Sequence, residues 1–260
     1  SGSEDAPRML GAFNEVTPDW LSFFMFTSFT DRDGKMQLEA LAQSGFDPLS
    51  RTCRFMLTEE AHHMFVGENG VRRVIKKTCE EMVKAGITDP YDINKIRSLG
   101  VIDLPTIQKK INLHFSLSLD LFGSEISTNA ANTFTASVKG RFWETKIKDD
   151  HILKNDTYPI MDFENNKIVK KDASALLSLN MRLRDDYIKD SSVGIKRWNR
   201  TINSFDIGFE MNLPFEGFNR KIGSFTNANI TPEGEVISLE NWNKNIDKYL
   251  PTKNDNLFVE

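Results

Sequence analysis

Two helix-start signals, each followed by a long stretch of helix formers and a terminating glycine, constrain this chain more than any other feature. Thr17-Pro18-Asp19 places a capping residue, a first-turn proline and an acid in succession, so a helix is expected from there to about Ser44, where Gly45 breaks it. Asp47-Pro48 repeats the signal, and the next helix is expected to run to about Ala85, closed by Lys84-Ala85-Gly86. Two long helices joined by so short a loop must lie antiparallel. Gly67 and Gly70, inside the second helix, mark a bend or a close approach.

The rest of the chain reads less uniformly. Residues 89–100 form a connector with a short helix, and Asp103-Leu104-Pro105 opens a further element. Ile111, Leu113, Phe115, Leu117, Leu119 and Leu121 alternate as in a strand, but the helical flanks and the length favour a buried helix. Residues 124–144 are rich in Ala, Ser, Thr and Asn and allow close packing. Asn165-Asn166 is a plausible hairpin turn. A helix is expected over residues 173–189, short strands and loops over 204–237, and a last short helix from Ser238 to just before Pro251. The expected fold class is mainly α, a helical body over residues 1–148 and a mixed, loop-rich region with short β hairpins over 149–260. No repeat or low-complexity tract interrupts this division.

Composition limits the functions. The 260 residues carry 33 Lys+Arg against 37 Asp+Glu, a net charge of −4, without the basic excess of a general nucleic-acid binder. The ten-residue apolar run Trp20–Phe29 is too short for a membrane span of about 20 residues. No signal-peptide pattern, P-loop or dinucleotide fingerprint is present. Cys53 and Cys79 share one expected helix, about 39 Å apart along it, too far for a disulfide. Separated thiols fit a reducing, cytoplasmic setting. The chain does not begin with Met, so it is expected to be processed, tagged or a piece of a longer protein.

Chemistry concentrates in residues 55–68. Glu60-x-x-His63 puts a carboxylate and an imidazole on one helix face, the pair that di-iron carboxylate bundles use; Glu59-x-x-His62 is an overlapping copy rotated by about 100°. In an antiparallel hairpin turning near residue 46, the height-matched partner of Glu60 falls near residue 32, where Asp31 and Asp33 stand. Asp31 follows the aromatic stripe of Trp20, Phe23, Phe24, Phe26 and Phe29, and an acid there is costly to bury without a partner such as a metal. Asp33 reads as the solvated member of the pair, with Arg32 its neighbour. His62 reads as a supporting donor or a packed histidine, His114 as a core histidine and His151 as a surface residue. The phenylalanines read as core. A surface Glu–His pair on a non-enzymatic helical interaction module is the alternative reading of the same motif.

The runs WLSFFMFTSFTDRDGKMQLEALAQSGFDPLSRTCRFMLTEEAHHMFVGENGVRRVI (20–75) and GVIDLPTIQKKINLHFSLSLDLFGSEIS (100–127) resemble the oxygenase component of benzoyl-CoA 2,3-epoxidase, with weaker matches at RDDY (184–187), RWNR (197–200) and YLPT (249–252). The resemblance implies a ferritin-like di-iron protein that uses O2 to insert one oxygen into the ring of benzoyl-CoA. Electrons would come from a separate NADPH-dependent reductase carrying FAD and iron–sulfur centres. It puts Asp31, Glu60 and His63 on the iron ligands of the second half of the bundle. The family's full set is six ligands from four helices, with a second E-x-x-H; here Ile111 and Lys148 stand three residues before His114 and His151. The chain is therefore expected to be the C-terminal portion of a longer protein, inactive alone, whose N-terminal half supplies the other ligands. Another di-iron activity, acyl-CoA oxygenase or ferroxidase, would use the same residues. Arg184, Lys196 and Arg197 are candidates for the CoA phosphates by composition.

Overall fold

A computed structural model describes residues 11–139 and 155–259. The order is α1 (Gly11–Asn14), α2 (Trp20–Leu41), α3 (Asp47–Lys84), α4 (Ile93–Ser98), α5 (Leu104–Leu119), a 3-10 turn (Asp120–Phe122), α6 (Thr128–Thr135), β1 (Thr157–Glu164), β2 (Lys167–Ser174), α7 (Leu179–Asn203), α8 (Leu239–Tyr249) and α9 (Lys253–Val259). The chain is mainly helical with a two-stranded antiparallel sheet. The boundary expected at 148/149 lies outside the described residues. Side chains from both sides of it, Phe29, Ile75 and Phe115 with Tyr187, Trp198 and Met211, meet in one core. No described helix is long and apolar enough to cross a membrane.

The expected helical hairpin forms, with corrected ends. Asp19, not Thr17, caps α2: its carboxylate accepts from the Ser22 backbone N–H at 2.6 Å, and the helix starts after it. Its last residue is Leu41, because Gly45 is drawn off to donate its N–H to the Ser137 carbonyl at 2.7 Å. In α3, Pro48 occupies the first turn, Lys84 the last, and Gly86 follows at φ +67°, as the sequence leads one to expect.

The glycines of α3 serve close approach. A Cβ on Gly67 would lie 2.5 Å from Thr27 Oγ1 and 2.6 Å from the Ser28 backbone nitrogen; one on Gly70 would enter the Phe24 ring. Hydrogen is the side chain that lets α2 and α3 touch at these two levels.

Helix α5 is buried on nearly every side. Ile107, Ile111, Phe115 and Leu119 join the core, while Lys110, Asn112, His114, Ser116 and Ser118 are buried as well. A helix covered all round needs no amphipathic period, so the chance alternation of its apolar residues carries no strand signal.

Further along, two expectations fail. Ala173 and Ser174 belong to β2, paired to Tyr158 and Thr157, so the helix expected from 173 begins at Leu179. The Asn165-Asn166 turn fixes this register: both residues take positive φ, as a two-residue hairpin demands. Helix α7 then runs to Asn203, past the expected Lys189, because Gly194, Ile195, Trp198 and Ile202 continue its buried stripe. Residues 204–237 hold loops and one isolated bridge, Ile230 to Val236, among the described residues, in place of short strands. Of the small-residue stretch at 124–144, residues 128–135 are helical, and 140–144 fall outside the described residues. Helix α9 is an addition, pinned by Asp255 to Arg97 at 2.6 Å and Lys109 at 3.0 Å.

Gly67→Ala should lower stability by about 1–3 kcal/mol in urea unfolding, since backbone and a β-branched residue must give way. Gly208→Ala, with nothing within 4 Å of its Cβ position, should stay within about 0.5 kcal/mol. Equal effects would show that the close approach at Gly67 costs nothing when a methyl group is added.

Candidate metal centre

Antiparallel packing brings the middle of α2 against the middle of α3 at matched heights. Asp31 on α2 meets Glu60 and His63, one turn apart on α3. His63 Nδ1 lies 3.6 Å from Asp31 Oδ2 and 3.8 Å from Glu60 Oε2. One ligand atom from each of the three falls within 4.8 Å of the others. The acids are largely buried, each side chain 18% exposed, while His63 is 49% exposed and closes the cluster toward solvent.

One of the carboxylates is poorly satisfied. Glu60 Oε2 is buried without a hydrogen-bond partner. Burial, and then the neighbouring charge of Glu60, pushes the Asp31 carboxyl up to about 6 against the pull of His63. Burial also raises Glu60, again against His63. Two partly buried acids facing one imidazole form a donor set that a divalent cation would satisfy: carboxylate oxygens and an imidazole nitrogen converging on one point.

The overlapping motif separates cleanly in the fold. Glu59 and His62 are exposed, one residue's rotation away, so His62 is not a packed histidine. Asp33, expected in solvent, is buried: it accepts from Gln37 at 3.2 Å, and burial pushes its carboxyl up to about 7, opposed by Gln37 and Lys139. Arg32 is not its partner. The buried Arg32 reaches Asp190 on α7 at 3.1 Å, Glu68 on α3 at 3.4 Å and the Ser28 carbonyl at 3.1 Å. It therefore ties α2 to both neighbours beside Asp31. Sequence reasoning missed this tie because its partners stand 36 and 158 residues away.

Other expectations resolve individually. Phe29 is core, but Trp20 is 74% exposed and Phe23 also reaches solvent, so the aromatic stripe is not all interior. Arg184 is fully buried between Glu125, at 3.2 Å, and Glu216, at 3.4 Å, which removes it from the candidates for CoA phosphates. Arg197 is committed to Glu68 at 2.9 Å, while Lys196 is exposed. Cys53 and Cys79 are free and buried. His151 lies outside the described residues. His114 is in the core as expected, and burial, then the Lys110 charge, pushes its imidazole down to about 3 against Asp19.

The fold and cluster thus define a mainly helical protein with a carboxylate–histidine cluster on a helical hairpin. The chain is similar to benzoyl-CoA oxygenase component B of Aromatoleum evansii, at 55% identity over 259 residues, the whole of this chain and 54% of the relative. It spans about half the length of the curated relative it matches. No protein-family model matches it.

The depressed His114 has a signed consequence. Its folded pKa lies below its unfolded value of about 6.5, so its contribution is complete above pH 6.5 and is lost as pH falls toward 3. Asp31 and Asp33, with raised values, act in the opposite direction, so the comparison must be with a variant. Between pH 6.5 and 4.5 the wild type should lose up to ~1.4 kcal/mol per pH unit relative to His114→Gln. Parallel stability–pH curves for the two proteins would contradict this.

Proposed function

We propose that this chain carries half of a di-iron centre in an oxygenase component that acts on benzoyl-CoA. The single observation that carries the metal reading is the convergence of Asp31, Glu60 and His63 around a buried Glu60 oxygen that has no hydrogen-bond partner. The acyl-CoA reading is supported by the name of the relative, and its designation as a component supports a system with further proteins. Asp31, Glu60 and His63 would hold iron, and bound iron would supply the activation of O2 that no side chain provides.

The reaction we assign is epoxidation of the aromatic ring: one oxygen atom of O2 enters the ring, and the other leaves as water with two electrons and two protons. A separate NADPH-dependent reductase with FAD and iron–sulfur centres would deliver the electrons. The residues of this chain bind and orient. Asp31 and Glu60 offer anionic oxygens whose cost of burial a cation relieves, and His63 adds a neutral nitrogen. Arg32, tied to Asp190 and Glu68, fixes the rotation of α2 that aims Asp31 at α3. The ferritin-like six-ligand set requires three more ligands beyond these.

With the remaining ligands present, the protein should bind iron, and Glu60→Ala and His63→Ala should each reduce bound iron to background by elemental analysis. Iron content unchanged in both would reject the assignment. Reductase-coupled oxygen uptake should depend on benzoyl-CoA; a preference for phenylacetyl-CoA, or uptake driven by ferrous iron alone, would move the reading to another acyl-CoA oxygenase or a ferroxidase.

A further inference from the structure

A cleft of about 630 Å³ is lined by no residue of α2 or α3, so it lies apart from the carboxylate–histidine cluster. It sits between the first half of α5, the 209–215 loop and the end of α8. Hydrogen bonds join these walls to one another. Gln108 Nε2 donates to Asn112 Oδ1 and to the Asn212 carbonyl, each at 2.8 Å, and Gln108 Oε1 accepts from the Asn212 N–H at 2.9 Å. Asn112 Nδ2 donates to the Tyr249 carbonyl at 2.9 Å. The cleft is therefore formed before anything enters it, which lowers the ordering cost of binding.

The groups left open in it are aromatic and acidic. The Tyr91 ring is 65% exposed and rests against Phe209 at 5.6 Å, with 53° between the planes. Tyr249 adds a second phenol, its ring held by Phe218 at 6.3 Å and Trp242 at 6.0 Å. Glu210 and Glu233 are exposed on the rim and make no side-chain hydrogen bond or ion pair among the described residues. Lys248 is the one cation in the lining, against these two carboxylates. Burial, and then the charges of Glu233 and Glu235, raises the Tyr249 phenol, so the negative field reaches the rings.

We propose that this cleft is a docking site for an arginine-bearing segment of a partner protein, with the guanidinium against the Tyr91 ring and beside the rim carboxylates. Charge selects a cation: an anion would meet one ammonium and two carboxylates. Pro105, Pro214 and Pro232 in the lining have no backbone N–H to offer an anion, and both amide protons of Gln108 are engaged. The rings then select the kind of cation. A planar, weakly hydrated guanidinium stacks on an aromatic face while its N–H groups reach carboxylate and phenol oxygens, which a compact ammonium does less well. A cleft of this volume also has room for the residues flanking the arginine, so a peptide segment suits it better than a lone side chain.

Fluorescence anisotropy tests the proposal on the full-length protein that contains this chain. The probes are a labelled tri-arginine peptide and its neutral tri-citrulline analogue, at about 0.15 M salt, where charges beyond ~8 Å are largely screened. We expect the arginine peptide to bind at least ~10-fold tighter than the citrulline one. Tyr91→Ala and Glu233→Gln should each weaken it by ~5-fold or more, while Tyr91→Phe, which keeps the ring, should stay within ~2-fold. Glu240→Gln removes the same charge from an exposed acid outside the lining and should leave binding unchanged. Equal binding of the citrulline peptide would overturn the proposal. So would a loss in Glu240→Gln as large as in Glu233→Gln, which would trace binding to overall charge. Tighter binding of a tri-glutamate peptide would make the cleft an anion site and overturn it as well.

Discussion

The contact between α2 and α3 at Gly67 and Gly70 is the constraint on which the remaining structure hangs. With no side chain on α3 at these levels, the Phe24 ring and the Thr27–Ser28 backbone sit directly against the helix axis. The same closeness, carried two turns toward the loop, leaves Asp31 and Glu60 near enough to share one imidazole. The closeness of Asp31, Glu60 and His63 thus goes with packing made elsewhere along the same pair of helices.

Rotation about the helix axes is a second degree of freedom, and a buried guanidinium removes it. Arg32 is next to Asp31 in sequence and spans two neighbours, Glu68 on α3 and Asp190 on α7. A buried arginine with one acid missing would be costly, so α2 is held where both are met. The polar tie of Arg32 and the carboxylate–histidine cluster of Asp31 thus share one orientation of α2.

Much of this was legible in the amino-acid sequence. Capping residues, prolines and glycines delimit the hairpin to within three residues at each end, and equidistance from the turn picks out the level of Asp31 against Glu60. The choice between the overlapping motifs, and the burial of Asp33, were not legible. Each depends on which face of a helix the neighbouring elements cover, and that is settled by α5, α7 and the segment near Lys139, far away in the chain. The helix expected at residue 173 failed for a related reason: local propensity there is outweighed by cross-strand pairing with residues 157 and 158. Likewise, Arg184 looks like a surface cation until Glu125 and Glu216 enclose it.

One buried ammonium joins parts of the chain that no element connects. Lys110, in the middle of α5, donates to Asp19 at 2.8 Å, to Ser22 at 2.7 Å and to Asn256 at 3.1 Å. The first turn of the hairpin and the final helix are thereby stitched to a single point. Two segments more than 230 residues apart in sequence share one knot. A change of length in a loop such as 204–237 would leave this knot in place, and with it the orientation of α2 and everything α2 presents.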